Sequence, residues 1–184
     1  MIPMTRREAL KAATALAGGV LIAPVILTGC TPEGREAASG GLILEDQALI
    51  EDIADTLLPT TAASPGAKAA GVGATIILIL TDCHAPDVQQ RVAAGLHALR
   101  TTCRERGAAG FGSLTRPERE RLLRELDAAA QKMGEAHWFA VTRQLALHAY
   151  FTSEIGLTRA TRYALTPGRW EGCVPLVAGQ PAWA

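Results

Sequence analysis

Val88, Val92, Leu96, Leu99 and Cys103 recur at intervals of four, four, three and four residues. Only an α-helix gathers such a series onto one face. This period constrains the fold more than any other feature, because it returns in successive segments bounded by proline or glycine. Pro86 opens the segment, where its missing N–H does no harm, and Gly107 and Gly110 close it. Ahead of it, Leu44 to Leu58 carries Ile50, Ile53, Leu57 and Leu58 on one face with Glu51, Asp52 and Asp55 between them, and Pro59 stops it. Behind it, Phe111 and Leu114 lead into Thr115-Arg116-Pro117-Glu118, a capping-box pattern with proline in the first turn. The helix opened there sets Leu122, Leu123 and Leu126 against Arg119, Glu120, Arg121, Arg124 and Glu125, and reaches Met133 before Gly134 breaks it. A last helix over Glu135–Ser153 stacks Trp138, Thr142, Leu145 and Ala149, with Phe139, Ala146 and Tyr150 beside them.

The segment from Gly73 to Cys83 is apolar nearly all round. Its β-branched residues permit a strand, but no second strand candidate exists to pair with it. It is therefore read as the central buried helix. Thr60 to Gly71 is a loop of small residues with a turn at Pro65-Gly66. The expectation is an all-α bundle of about five helices with short connections, followed by a long irregular C-terminal segment.

The N-terminus has its own logic. Thr5-Arg6-Arg7-Glu8-Ala9-Leu10-Lys11 precedes an apolar run from Ala12 to Leu27 that contains Gly18, Gly19 and Pro24. A charged region followed by an apolar run too short to span a bilayer is a signal peptide. Arg6 and Arg7 resemble the twin-arginine signal of proteins exported already folded, with Ala9 where phenylalanine is common. Leu27-Thr28-Gly29-Cys30 resembles a bacterial lipobox, with cleavage before Cys30 and lipid on its thiol. The expected organisation is a signal peptide over 1–29, a lipidated flexible tether over 30–41 and a helical domain over 42–184, held on the periplasmic side of a membrane.

The whole chain has 18 basic and 18 acidic residues. Removing residues 1–29, with Arg6, Arg7, Lys11 and Glu8, leaves 15 against 17. No basic patch argues for nucleic acid. From Ser153 the sequence turns irregular and rich in arginine, aromatics and turn formers. Seven of the eight aromatic residues lie from Trp138 onward, with Tyr150, Phe151, Tyr163 and Trp170 inside Tyr150 to Leu176. Tyr, Trp and Arg dominate binding hot spots. Tyr150, Phe151, Glu154, Arg162, Tyr163, Arg169 and Trp170 are the candidate partner-binding residues.

Recognised catalytic and cofactor patterns are missing. Cys83, Cys103 and Cys173 remain beside Cys30. Cys83 and Cys103 each end a helix of an antiparallel hairpin. That places them about 25 Å apart at 1.5 Å per residue, too far for a bridge. Cys173 is free to fold back to Cys83, which leaves Cys83–Cys173 as a candidate disulfide, a free thiol or a bridge to a partner being the alternatives. His84, His97, His137 and His148 fall in no zinc spacing. The chain has no CxxCH and no GxGxxG after a strand. Asp82-Cys83-His84 and Ser153-Glu154 are sequence neighbours, which do not face each other on a helix. No metal, cofactor or catalytic residue is expected in this chain.

Three segments together resemble the gluconate 2-dehydrogenase subunit 3 family: Ile53 to Val72, the Asp82-Cys83 helix end, and Tyr150 to Gly156 with the Pro-Gly-Arg-Trp-Glu-Gly-Cys-Val-Pro ending at Pro175. The family's acidic residue ahead of the Pro-Gly turn is replaced by Ala164-Leu165-Thr166. The resemblance implies a small, non-catalytic subunit that accompanies a large FAD-bearing flavoprotein of the glucose–methanol–choline type. Some such complexes add a cytochrome c. The competing reading is a free-standing periplasmic lipoprotein that binds or transforms a small molecule, for which a polar pocket joining His148, Glu154 and Arg162 is the discriminating feature.

Overall fold

Proline and glycine cut the chain where the sequence expects. In the computed structural model the described residues are 42, 44–166, 168 and 173–183. Arg6, Arg7 and Cys30, and with them the signal and tether, lie outside these residues, as do Arg169 and Trp170. Five long helices follow in order: α1 Leu44–Leu57, α2 Val72–Cys83, α3 Pro86–Glu105, α4 Arg116–Met133 and α5 Trp138–Phe151. Short 3-10 turns occupy Phe111–Ser113 and Gly134–Ala136, and a π-helical turn occupies Gly156–Ala160. The described residues contain no strand, only an isolated bridge between Arg162 and Trp183. The all-α expectation is borne out. Among the described residues no helix is long and apolar enough to cross a membrane.

The helix ends obey local chemistry. In α3, Gly107 takes φ 79° and donates its N–H to Arg104 O at 2.9 Å, while Ala108 donates to Cys103 O at 3.0 Å. These two bonds form a Schellman motif. At the start of α4, Glu118 Oε2 accepts from Thr115 N at 2.8 Å and from Thr115 Oγ1 at 2.6 Å, as the capping pattern predicts. Those bonds favour the ionised carboxylate and lower the Glu118 pKa. The helix expected over Glu135–Ser153 starts later. Its first residues form the 3-10 turn, and His137 Nδ1 accepts the Phe139 N–H at 3.2 Å as the true N-cap of α5.

The centre of the bundle is α5, not α2. Helix α5 touches α1, α2, α3 and α4 and buries Trp138, Phe139, Thr142, Leu145, Ala146, Ala149 and Tyr150. Helix α2 packs chiefly on α1 and α5. It buries Val72, Gly73, Ile76 and Leu80 but leaves Leu78 52% exposed. Apolar residues all round do not by themselves bury a helix; the number of neighbours does. Helix α3 can approach α5 closely because position 95 is glycine: a Cβ there would lie 2.1 Å from Trp138 Cγ. An ion pair at 2.7 Å joins buried Asp46 of α1 to Arg100 of α3. The α2–α3 corner is held by buried Gln89, whose Nε2 donates to His84 O at 2.9 Å and Thr81 O at 3.2 Å.

Candidate functional site

The end of α5 sets the direction of the described chain that follows it. Ser153 Oγ donates to Tyr150 O at 2.7 Å and accepts the Gly156 N–H at 3.0 Å. A Cβ on Gly156 would lie 1.9 Å from Tyr150 O, so only glycine lets the chain fold this tightly over the helix end. The π-helical turn follows, closed by the Thr161 N–H on Gly156 O at 3.0 Å.

Tyr150 is buried at 4% exposure. Its hydroxyl donates to Pro65 O at 2.6 Å and lies 2.7 Å from Ser64 Oγ. The ring meets Phe151 edge-on, with centroids 5.1 Å apart. Tyr150 therefore ties the Thr60–Gly71 loop to the C-terminal end of α5. The loop is also braced internally, by the Gly66 N–H on Thr60 Oγ1 at 2.9 Å and the Ala67 N–H on Leu58 O at 2.8 Å. Two sequence segments that share only a family resemblance are thus one structural unit.

The other candidates face outward. Phe151 is 40% and Tyr163 45% exposed. Glu154 and Arg162 are exposed. The exposed apolar side chains Leu165, Val174, Leu176, Val177 and Trp183 continue the series along the described C-terminal segment. Trp183 is the residue that sequence reasoning passed over. The Arg162 guanidinium carbon sits 4.2 Å from its ring centroid, and the Arg162 N–H donates to Ala182 O at 2.7 Å. Its only sequence signal is that it is an aromatic in a segment already rich in them; the pairing with Arg162 is non-local.

In the structure Cys83, Cys103 and Cys173 carry no bridge, the candidate pair Cys83 and Cys173 among them. Cys83 and Cys173 are exposed, and the end of the tail turns back to Arg162 instead. Cys103 is buried, and desolvation raises its pKa against the lowering influence of Arg106. Among the described residues no group of three or more His, Cys, Asp or Glu side chains is placed to hold a metal.

Open grooves cross the bundle among the described residues, two of them unequal in size. The larger, about 720 Å³, runs between the α2–α3 corner and the α4–α5 pair, past His84, Arg91, Glu135 and Arg143. The smaller, about 280 Å³, lies between α1, α4 and α5. Their arginines are engaged: Arg91 with Asp87 and Glu135 O, Arg143 with Asp127, and Arg124 with Glu120. His148, Glu154 and Arg162 line neither groove. The described C-terminal residues instead expose apolar and aromatic side chains, with Arg162 against the Trp183 ring.

The protein-family model described as gluconate 2-dehydrogenase subunit 3 matches residues 45–168. No curated protein and no solved structure matches the chain. The match begins in α1, includes the braced loop, Tyr150 and the Gly156 turn, and runs past Arg162 and Tyr163. With well over half of its length matched, the chain belongs to the gluconate 2-dehydrogenase subunit 3 family.

Proposed function

We propose that this chain is the small, non-catalytic subunit of a membrane-bound periplasmic dehydrogenase that oxidises a sugar, sugar acid or alcohol. A large flavoprotein of the glucose–methanol–choline type holds FAD and performs the oxidation. A cytochrome c subunit, where present, takes the electrons onward. Arg6 and Arg7 send the assembled pair through twin-arginine export, and lipid on Cys30 anchors it.

One observation carries this reading. A chain whose family is described as a subunit exposes Phe151, Tyr163, Leu165, Val174, Leu176, Val177 and Trp183 on and beyond the end of its central helix. A folded domain that leaves this many large apolar side chains exposed in one stretch of chain has a reason to bind a partner there. The free-standing alternative draws less support, because the polar residues it relies on line neither groove.

The test is a mild detergent extraction of the tagged mature chain from membranes, with mass spectrometry and a flavin absorbance scan of what comes with it. A large flavoprotein at near-equal amount is the expected result. A colourless chain that elutes alone sinks the proposal.

A further inference from the structure

Arg162 and Trp183 hold together the two ends of the C-terminal segment. The Arg162 N–H donates to Ala182 O at 2.7 Å, the two residues form an isolated parallel bridge, and the guanidinium carbon stands 4.2 Å from the Trp183 ring centroid. Between these ends Tyr163, Leu165, Val174, Leu176 and Val177 are exposed at 45%, 83%, 47%, 85% and 62%. We propose that this clasp sets Arg162, Tyr163 and the described residues beside Trp183 in advance as part of the element that recognises the large partner subunit, with Trp183 as the positioning residue. The inference rests on the subunit reading above.

Three observations support it. First, these side chains are exposed and contribute little to the bundle core, so ordering them has a cost that contacts with a partner must offset. Holding Arg162 and Trp183 together beforehand lowers the ordering cost of their neighbours at the moment of association. Second, Trp183 is 48% exposed while its ring stacks with a guanidinium, so much of the indole stays open to a partner. Aromatic and arginine anchors of this kind are enriched among binding hot spots. Third, the sequence from Arg162 to Ala184 carries only Arg162, Arg169 and Glu171 as charges, and no lysine. A segment that lies on a bilayer surface is typically rich in Lys and Arg, so a protein face is the better fit.

The experiment uses the full mature chain and the flavoprotein that wild type captures from solubilised membranes. Trp183→Ala is expected to weaken capture about tenfold, the scale of a single hot-spot residue. Trp183→Phe keeps an aromatic face over the guanidinium and should stay within about threefold of wild type. Hydrogen exchange at the Arg162 amide provides a readout independent of any partner: protected in wild type and Trp183→Phe, fast in Trp183→Ala. Unchanged capture or unchanged protection in Trp183→Ala overturns the clasp. Trp183-dependent binding to phosphatidylcholine vesicles also overturns it, since the segment would then be a membrane contact. If wild type captures no flavoprotein, the subunit reading itself falls, whereas capture that is indifferent to Trp183 removes only this inference.

Discussion

Removing one oxygen atom from Tyr150 isolates the link between the Thr60–Gly71 loop and the end of α5. Tyr150→Phe keeps the buried ring and its edge contact with Phe151 at 5.1 Å. It deletes the donor to Pro65 O at 2.6 Å and the partner of Ser64 Oγ at 2.7 Å. Each hydrogen bond contributes about 0.5–1.5 kcal/mol net, which puts the loss near 2 kcal/mol. For a domain of this size that corresponds to a fall of about 4–8 °C in Tm. Ser64→Ala removes only one of the two bonds and should cost about 1 kcal/mol. Because the single variants share that bond, the double variant should lose less than their sum. Urea unfolding followed by circular dichroism at 222 nm gives all three values, with a constant slope confirming that only stability changed. A Tyr150→Phe variant as stable as wild type, or strictly additive losses, would refute the view that the hydroxyl braces the loop.

Three further outcomes follow from particular contacts. Gly95→Ala places a Cβ 2.1 Å from Trp138 Cγ, so it should destabilise by about 1–3 kcal/mol through overpacking and shift the tryptophan emission; near-neutral unfolding data would contradict that packing. In native alkylation followed by peptide mapping, Cys83 and Cys173 should label fast and separately, while buried Cys103 should label only on unfolding; a Cys83–Cys173 bridged peptide would show that the tail reaches α2. The Glu118 pKa is lowered by its bonds to Thr115, so its stabilising contribution is present above the ordinary carboxylate pKa and is lost as pH falls through the folded value. Glu118→Gln should therefore be less stable than wild type at neutral pH and converge with it in acid, as followed by thermal melts across pH; a constant gap would argue against the linkage.

Much of the fold is legible from local rules. The 3.6-residue period and the Pro86 and Gly107 boundaries suffice for α3, because intrahelical bonds and capping are satisfied within a few residues. The Thr115–Glu118 cap is readable for the same reason. The start of α5 is less legible, because histidine is an uncommon N-cap and nothing nearby in sequence marks His137 for the task. The candidate surface divides in the same way. Phe151, Tyr163 and Arg162 are exposed as the tail's composition suggests, but Tyr150 is turned inward by Ser64 and Pro65, which lie 86 and 85 residues away.

The sequence by itself determined the all-α class, the segments that become helices and the Thr115 and Gly107 caps, since each depends on short-range patterns of apolar residues, prolines and glycines, and its specific motifs carried the family resemblance. Only the tertiary structure decided that α5 and not α2 is central, that Gly95 must make room for Trp138, that Tyr150 braces a distant loop, and that Trp183 closes on Arg162. Burial is set by how many neighbours a helix acquires and which groups meet across them, and those meetings join residues that no local pattern relates.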